Sequence, residues 1–277
     1  MPEPPEKRSC PDCPGFQPIY TGIEACRVCG LARTAGALRG PEDQDYLGDG
    51  NWGGQLRPDY FSDIYSRYFK TLLAGNSLDI GCGRGELVEK LCKHGWNAHG
   101  IDSYEGFQED RVRYFKTSLD SFVTGEVYDL ISLIHSFEHL GDPIGSLQRI
   151  ASILAPNGVV FIVVPNFGGV WARLLGDRWH MLRPEDHAYH YTSDGLSNIL
   201  QRCGFLVQGI RTYSGYAPSS WQIRLAENRF YESGIGRIPI LRSIIFRANT
   251  ILQPHVNRVI DFRKQGAEIQ LLASRSN

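Results

Sequence analysis

Between Leu78 and Glu86 the chain reads Leu-Asp-Ile-Gly-Cys-Gly-Arg-Gly-Glu, an apolar strand running into three alternating glycines and then a helix start. Glycine permits the tight turn and lets a ligand approach the backbone, at the carboxyl end of a strand where doubly wound sheets bind their ligands. About 20 residues further on, the next strand ends in Gly100-Ile101-Asp102, which places a carboxylate to accept both hydroxyls of a ribose. From there strands and helices alternate. Strands are predicted at Ser77 to Ile80, Asn97 to Ile101, Val112 to Lys116, Tyr128 to Ile134, Val159 to Val164, Phe205 to Thr212 and Glu268 to Ala273. Helices are predicted at Glu86 to His94, Pro143 to Leu154 and Ser193 to Cys203, with an amphipathic lead-in helix over Asp59 to Lys70. Strands separated by helices of this length predict an α/β fold with a mostly parallel sheet.

The balance of 29 Lys and Arg against 30 Asp and Glu gives a net charge of −1, without the basic excess expected of a protein that lives on nucleic-acid phosphates. Apolar runs such as Val159 to Val164 are far shorter than the roughly 20 residues of a membrane span. The opening Met1-Pro2-Glu3-Pro4-Pro5-Glu6 lacks the basic and apolar regions of a secretory signal, so a cytoplasmic setting is expected. Seven cysteines, an odd number, argue against a disulfide framework. Four of them form two CxxC pairs, Cys10 with Cys13 and Cys26 with Cys29, and two such knuckles suit a structural tetrahedral zinc. Cys82, Cys92 and Cys203 read as packing residues. The predicted organisation is a zinc ribbon over 8–35, a glycine-rich linker over 36–56 and an α/β domain over 57–277. That domain carries a helical insert, Gly215 to Gln265, between its sixth and seventh strands.

With Asp79 ahead of the glycines and Asp102 after them, the chain resembles the class I S-adenosylmethionine-dependent methyltransferases over about residues 57–212, with the last strand also fitting. The resemblance implies a Rossmann-like seven-stranded sheet, mostly parallel with an antiparallel last strand, and S-adenosylmethionine as the cofactor. It implies cofactor contacts from Asp79, Gly81, Cys82, Gly83, Gly85, Asp102, Ser103, Ser118, Leu119 and Leu133. Tyr128 to His135 looks like the strand whose end borders the sulfonium, and Leu154 to Ile162 like the Pro-Gly segment and strand that follow. A dinucleotide-binding Rossmann domain would instead show GxGxxG, a spacing this loop lacks.

The end of that fourth strand reads His135-Ser136-Phe137-Glu138-His139, and in a helix starting there positions 135, 138 and 139 share one face. A second cluster follows the fifth strand: Trp179-His180, then Glu185 to Thr192 with His187 and His190. The pattern is similar to the metal-assisted O-methyltransferases of small RNA and of the ubiquinone pathway, which carry Glu-x-x-Glu-His at this place. Glu138 and His139 match, His187 is the downstream histidine, and His135 replaces the first glutamate. The resemblance thus implies a divalent metal on His135, Glu138, His139 and His187. The other reading is a metal-free general base drawn from His135, His187 and His190. The aromatic segment Asn166 to Pro184 reads either as a lid over the reaction centre or as a helix packed on the sheet. Ile238 to Leu252, apolar with Arg237, Arg242 and Arg247, reads as a packing helix in preference to a membrane-surface one. The expected reaction is O-methylation of a small molecule or sugar. RNA 2′-O-methylation and a cofactor-binding interaction module without turnover are the alternatives.

Overall fold

The structure, a computed structural model, describes residues 15–26, 30–36, 59–103, 113–179, 181–214, 255 and 257–276. Three short strands come first: β1 (Gln17–Tyr20), β2 (Ile23–Ala25) and β3 (Ala32–Thr34). Helix α1 (Tyr60–Ile64) leads into β4 (Asn76–Ile80), α2 (Glu86–Lys93), β5 (Asn97–Asp102), β6 (Tyr114–Lys116) and β7 (Tyr128–Ile134). Then follow α3 (Pro143–Ile153), β8 (Leu154–Pro165), α4 (Val170–Leu175), β9 (Tyr189–His190), α5 (Ser193–Arg202), β10 (Phe205–Tyr213) and β11 (Glu268–Arg275). The central sheet has the order β10-β11-β8-β7-β4-β5-β6. β11 runs antiparallel to both neighbours, and the other six strands are parallel to one another. This is the predicted seven-stranded architecture.

Strand β8 shows why the sheet is buried on both sides. Val160, Ile162 and Val164 face a core shared with Leu147 and Ile150 of α3 and Leu196 and Leu200 of α5. Val159, Phe161 and Val163 face a second core made with α1 and with Leu87, Val88 and Leu91 of α2. Alternation at period two therefore feeds two apolar layers, and the strand reads as a continuous apolar run.

Two elements depart from the sequence reading for local reasons. The lead-in helix is α-helical only to Ile64 and widens to a π-turn over Tyr65–Phe69, closed by the Lys70 N–H to Tyr65 O bond of 2.9 Å. Its buried residues are Tyr60, Ile64 and Phe69. The wider turn brings Phe69 onto the core face that a 3.6 period would have given to Tyr68. Strand β8 starts at Leu154 instead of Val159, because Leu154 already pairs with Tyr128 and the Pro156-Asn157-Gly158 turn is taken up as an irregularity in the ladder.

The N-terminal strands do not stand apart. β1, β2 and β3 form a four-stranded antiparallel sheet with β9, the two-residue strand after β8 and α4. Ile23 and Ala32 of this sheet pack with Ala172, Trp179, Met181 and Leu182. The aromatic segment after β8 is thus a packed wall and not a loose lid. Of the predicted zinc ligands, Cys26 is buried in the core beside Leu31, and Cys10, Cys13 and Cys29 lie outside the described residues. Most of the predicted linker and the insert over 215–254 lie outside them as well, including Ile238 to Leu252. Residues 257–262 are helical, and Asp261 accepts a 2.6 Å bond from the Ser214 hydroxyl. Among the described residues no helix is long and apolar enough to cross a membrane.

Phe161 is fully buried, edge-on to Phe69 at 5.2 Å between ring centroids. Phe161→Ala is expected to cost about 3–5 kcal/mol, the range for emptying an aromatic site in a core. Urea denaturation of both proteins measures it, and a loss below about 1 kcal/mol would show that this layer is loosely packed.

Candidate active site

The glycine turn after β4 is locked between neighbouring strands. The N–H groups of Gly81 and Cys82 both donate to Ile101 O of β5, at 2.8 and 3.1 Å. Gly81 has φ 73° and Gly85, the residue before α2, has φ 77°, a region that favours glycine. Both are also sterically closed, since a Cβ at Gly81 would overlap the Ser136 side chain and one at Gly85 the Tyr114 ring. Between them, a Cβ at Gly83 would meet nothing within 4 Å. The turn therefore presents an open backbone surface at the carboxyl end of β4, the cradle a cofactor requires. Asp102, at the end of β5, accepts the Gly83 N–H at 2.9 Å and borders that opening. Asp79 is buried and accepts a 2.6 Å bond from the Ser132 hydroxyl. Burial lifts its carboxyl to about 7; the Ser132 bond opposes the rise, and the Asp102 charge adds to it.

The other predicted cofactor residues divide. Ser103 and Ser118 are exposed near the strand ends. Leu119 and Leu133 are core residues, buried at 4% and 0% exposure. Strand alternation explains Leu133: it is the last residue of β7 directed into the core, and Ile134 is the partly exposed one. Cys82 is likewise a packing residue. Its thiol lies where a side chain on Gly100 would go, and burial pushes it up, which keeps it protonated.

Across the turn, β7 ends in the histidine and glutamate cluster. The expectation that His135, Glu138 and His139 share one helical face is corrected by the backbone. His135 is left-handed, at φ 53°, and the residues after it form a 3₁₀ turn, Phe137–His139. Its ring is thereby turned between two carboxylates, with Nε2 3.2 Å from Glu268 Oε2 and Nδ1 3.5 Å from Glu138 Oε1. Burial works against a charged ring, but the two carboxylates outweigh it and lift His135 to about 9. Both ring nitrogens therefore face carboxylates.

The groups that do converge are Glu138, His139 and His187, whose ligand atoms lie within 4.8 Å of one another. His139 Nδ1 is 3.0 Å from Asp186 O, and because a carbonyl only accepts, that nitrogen carries the hydrogen and leaves Nε2 as the lone-pair atom of the neutral ring. His187 Nε2 is buried with no hydrogen bond, and so are both carboxylate oxygens of Glu138. Burial first, then the neighbouring His139 and His190, hold His187 well below the ordinary histidine range. His190, the third predicted base, is 3.1 Å from the Thr34 hydroxyl through Nε2 and is pushed down to about 4 by burial. His180 lies outside the described residues.

Sequence reasoning missed Glu268, Tyr60 and Thr34. Glu268 receives the Tyr60 hydroxyl at 3.2 Å and the Gln270 amide at 2.6 Å. A single charged residue opening the mostly apolar strand Glu268 to Ala273 was the available signal.

An open glycine turn flanked by two acidic strand ends, on a sheet of this order, defines a class I S-adenosylmethionine-dependent methyltransferase. A family model described as "Methyltransferase domain" matches residues 54–209, and the chain belongs to that family. A ubiquinone biosynthesis O-methyltransferase from Aeromonas salmonicida is 30% identical over 171 residues, covering 54% of this chain and 71% of the relative. Another from Actinobacillus pleuropneumoniae is 32% identical over 105 residues, and there the chain spans 45% of the relative's length. Among solved structures, the plantazolicin methyltransferase BpumL in complex with a triazolic desmethylPZN analog and SAH superposes with a TM-score of 0.53 at 19% identity, over 85% of this chain and 93% of that one. A SAM-dependent methyltransferase from Archaeoglobus fulgidus gives 0.54 at 20% identity, over 83% and 99%. At these identities the likeness is one of fold.

Because the folded carboxyl of Asp79 sits near 7 against an ordinary 3.8, its contribution to stability is complete below about pH 4 and is lost as the pH rises through about 7. Asp79→Asn, which keeps an oxygen for Ser132, is expected to be more stable than wild type at about pH 8 by a few kcal/mol at most, on the order of the shift. At about pH 5 the difference shrinks. Chemical denaturation of the unliganded proteins at both pH values checks this, and an equal difference at both would remove Asp79 from the pH profile.

Proposed function

We propose that this protein moves a methyl group from S-adenosylmethionine to a hydroxyl oxygen of a small molecule or sugar, with a divalent metal held by Glu138, His139 and His187. The observation that carries the reading is the burial of the Glu138 carboxylate with no hydrogen bond on either oxygen, beside a His187 Nε2 in the same condition. A general base alone would leave that carboxylate with only the long 3.5 Å approach of His135 Nδ1 to one of its oxygens, which is costly in an interior. A cation between one carboxylate oxygen and two imidazole nitrogens satisfies all three groups, and the donor set suits a borderline or hard divalent ion.

In this reading Asp102 takes the ribose hydroxyls while its Oδ2 stays on the Gly83 N–H. The backbone from Gly81 to Gly85 leaves room for the amino-acid part of the cofactor, whose sulfonium supplies the methyl group. Glu138, His139 and His187 would hold a divalent ion, which would supply Lewis acidity toward the acceptor hydroxyl. Asp186 O fixes the His139 tautomer. The relatives named for ubiquinone biosynthesis support an oxygen acceptor.

We also propose that Cys10, Cys13, Cys26 and Cys29 hold a structural zinc. Support comes from the tight turn after Cys26, where Gly30 N–H reaches Cys26 O at 3.0 Å and Cys26 N–H reaches Leu31 O at 2.9 Å.

Calorimetric titration of Mn²⁺ into protein stripped of divalent ions other than the zinc is expected to give an isotherm in wild type. His139→Ala should weaken it by at least about 100-fold, beyond the 10–100-fold typical of outer-shell changes. Micromolar S-adenosylmethionine binding should persist in both. Absence of cofactor binding would sink the methyltransferase reading. Full turnover in chelator, with no manganese isotherm, would sink the metal.

A further inference from the structure

The segment that delivers His187 has little regular structure of its own. Between α4 and β9 the chain turns through bonds from the Asp186 and His187 N–H groups to Arg183 O. What holds it comes from the far end of the sequence. β3 pairs with β9 through Ala32 opposite His190 and Arg33 opposite Tyr189. At the end of β3, Thr34 N–H donates to Ala188 O at 3.0 Å, and the Thr34 hydroxyl lies 2.6 Å from His187 O and 3.1 Å from His190 Nε2. A carbonyl cannot donate, so the one hydroxyl proton goes to His187 O. The hydroxyl oxygen then accepts from His190 Nε2–H, which sets that tautomer. Ala188 N–H in turn donates to Glu138 O at 2.8 Å, tying the same loop to the residue opposite His187.

We infer that Thr34 is a positioning residue for His187, so that the cysteine-rich N-terminal segment completes the active site instead of serving as a separate docking module. The part played by His187 as a ligand rests on the metal reading above; the clamp on its loop does not. One threonine holds the main chain at His187 and Ala188 and the ring of His190. Ile23 and Ala32 of the same sheet pack under the adjoining Trp179, Met181 and Leu182. A ligand nitrogen must be held to within about 0.5 Å to act, and a loop with so few bonds of its own needs such a support.

The test uses the full chain with Thr34→Val, which keeps the shape and removes the hydroxyl, and Thr34→Ser, which keeps the hydroxyl. Hydrogen exchange of the amides over 187–190 should rise about tenfold in Thr34→Val, the effect of losing one buried hydrogen-bonding group. Mn²⁺ affinity should fall by about 10–100-fold, as for other residues that orient a ligand. In Thr34→Ser both should return to within about twofold of wild type, and S-adenosylmethionine affinity should be unchanged in all three proteins, as expected for a fold that is intact. Wild-type exchange over 187–190 in Thr34→Val overturns the clamp. Faster exchange with unaltered Mn²⁺ affinity overturns its role in placing a ligand. A wild-type protein that binds no Mn²⁺ overturns the metal reading instead, and the exchange result then decides the clamp by itself.

Discussion

Two carboxylates in the interior set the terms for the acceptor side of this protein. Glu138 and Glu268 are 1% and 0% exposed, and removing an ion from water costs several kcal/mol even after the surroundings relax. The arrangement is tolerable because His135 lies between them and because Glu268 also collects the Tyr60 hydroxyl and the Gln270 amide. Gln270 in turn accepts from Tyr68 at 2.8 Å. The network therefore joins the end of β7, the start of β11 and the lead-in helix. It gives a physical reason for the π-turn to lie over this end of the sheet, and for β11 to enter at the register that sets Glu268 opposite Pro165. The left-handed backbone at His135, worth roughly 1–2 kcal/mol of strain, is the local cost of aiming one ring at both carboxylates.

The two halves of the active site are assembled from different kinds of contact. On the cofactor side, β4, its glycine turn, α2 and β5 are consecutive, and their bonds join residues about 20 apart or fewer, such as Gly83 to Asp102. On the acceptor side, Thr34, Glu138, His187 and Glu268 come from four distant stretches of chain. Short-range contacts form with little loop-closure entropy, whereas each distant one depends on the sheet having been built first. The acceptor side thus inherits its geometry from the order of the strands, with β11 entering between β8 and β10 and β3 adding to β9.

That difference decides what could be read in advance. The glycine turn was legible because positive φ, strand end and helix start are written into nine adjacent residues, and the strands of the central sheet followed from period and length. Leu133 is buried in one apolar layer and Ile134 packs against the other, because a step of one residue changes the face in a sheet covered on both sides. The shared helical face at His135 was misread because the sequence offers a helical spacing, 135 to 138 to 139, and contains no signal that a non-glycine residue will take a left-handed conformation at its start. The pairing of β3 with β9 could not have been found by periodicity. β9 has two residues, and its partner lies at the other end of the sequence.

Four histidines in this site share one residue type and have different chemistry, and the cause in each case is the second partner of the ring. His135 lies between carboxylates, which favours its charged form. His139 gives Nδ1–H to Asp186 O and so turns Nε2 toward Glu138 and His187. His190 gives Nε2–H to Thr34. His187 has its main chain held and its Nε2 left without a hydrogen bond. Burial first, and then the neighbouring rings, hold His187 below the ordinary histidine range, because each nearby positive charge raises the cost of the next in a medium of low dielectric. Distinct roles are thus enforced as much by mutual repulsion as by the individual partners. A motif that counts histidines cannot separate base from ligand from structural ion, and the backbone carbonyls and hydroxyls that do separate them arrive only with the fold.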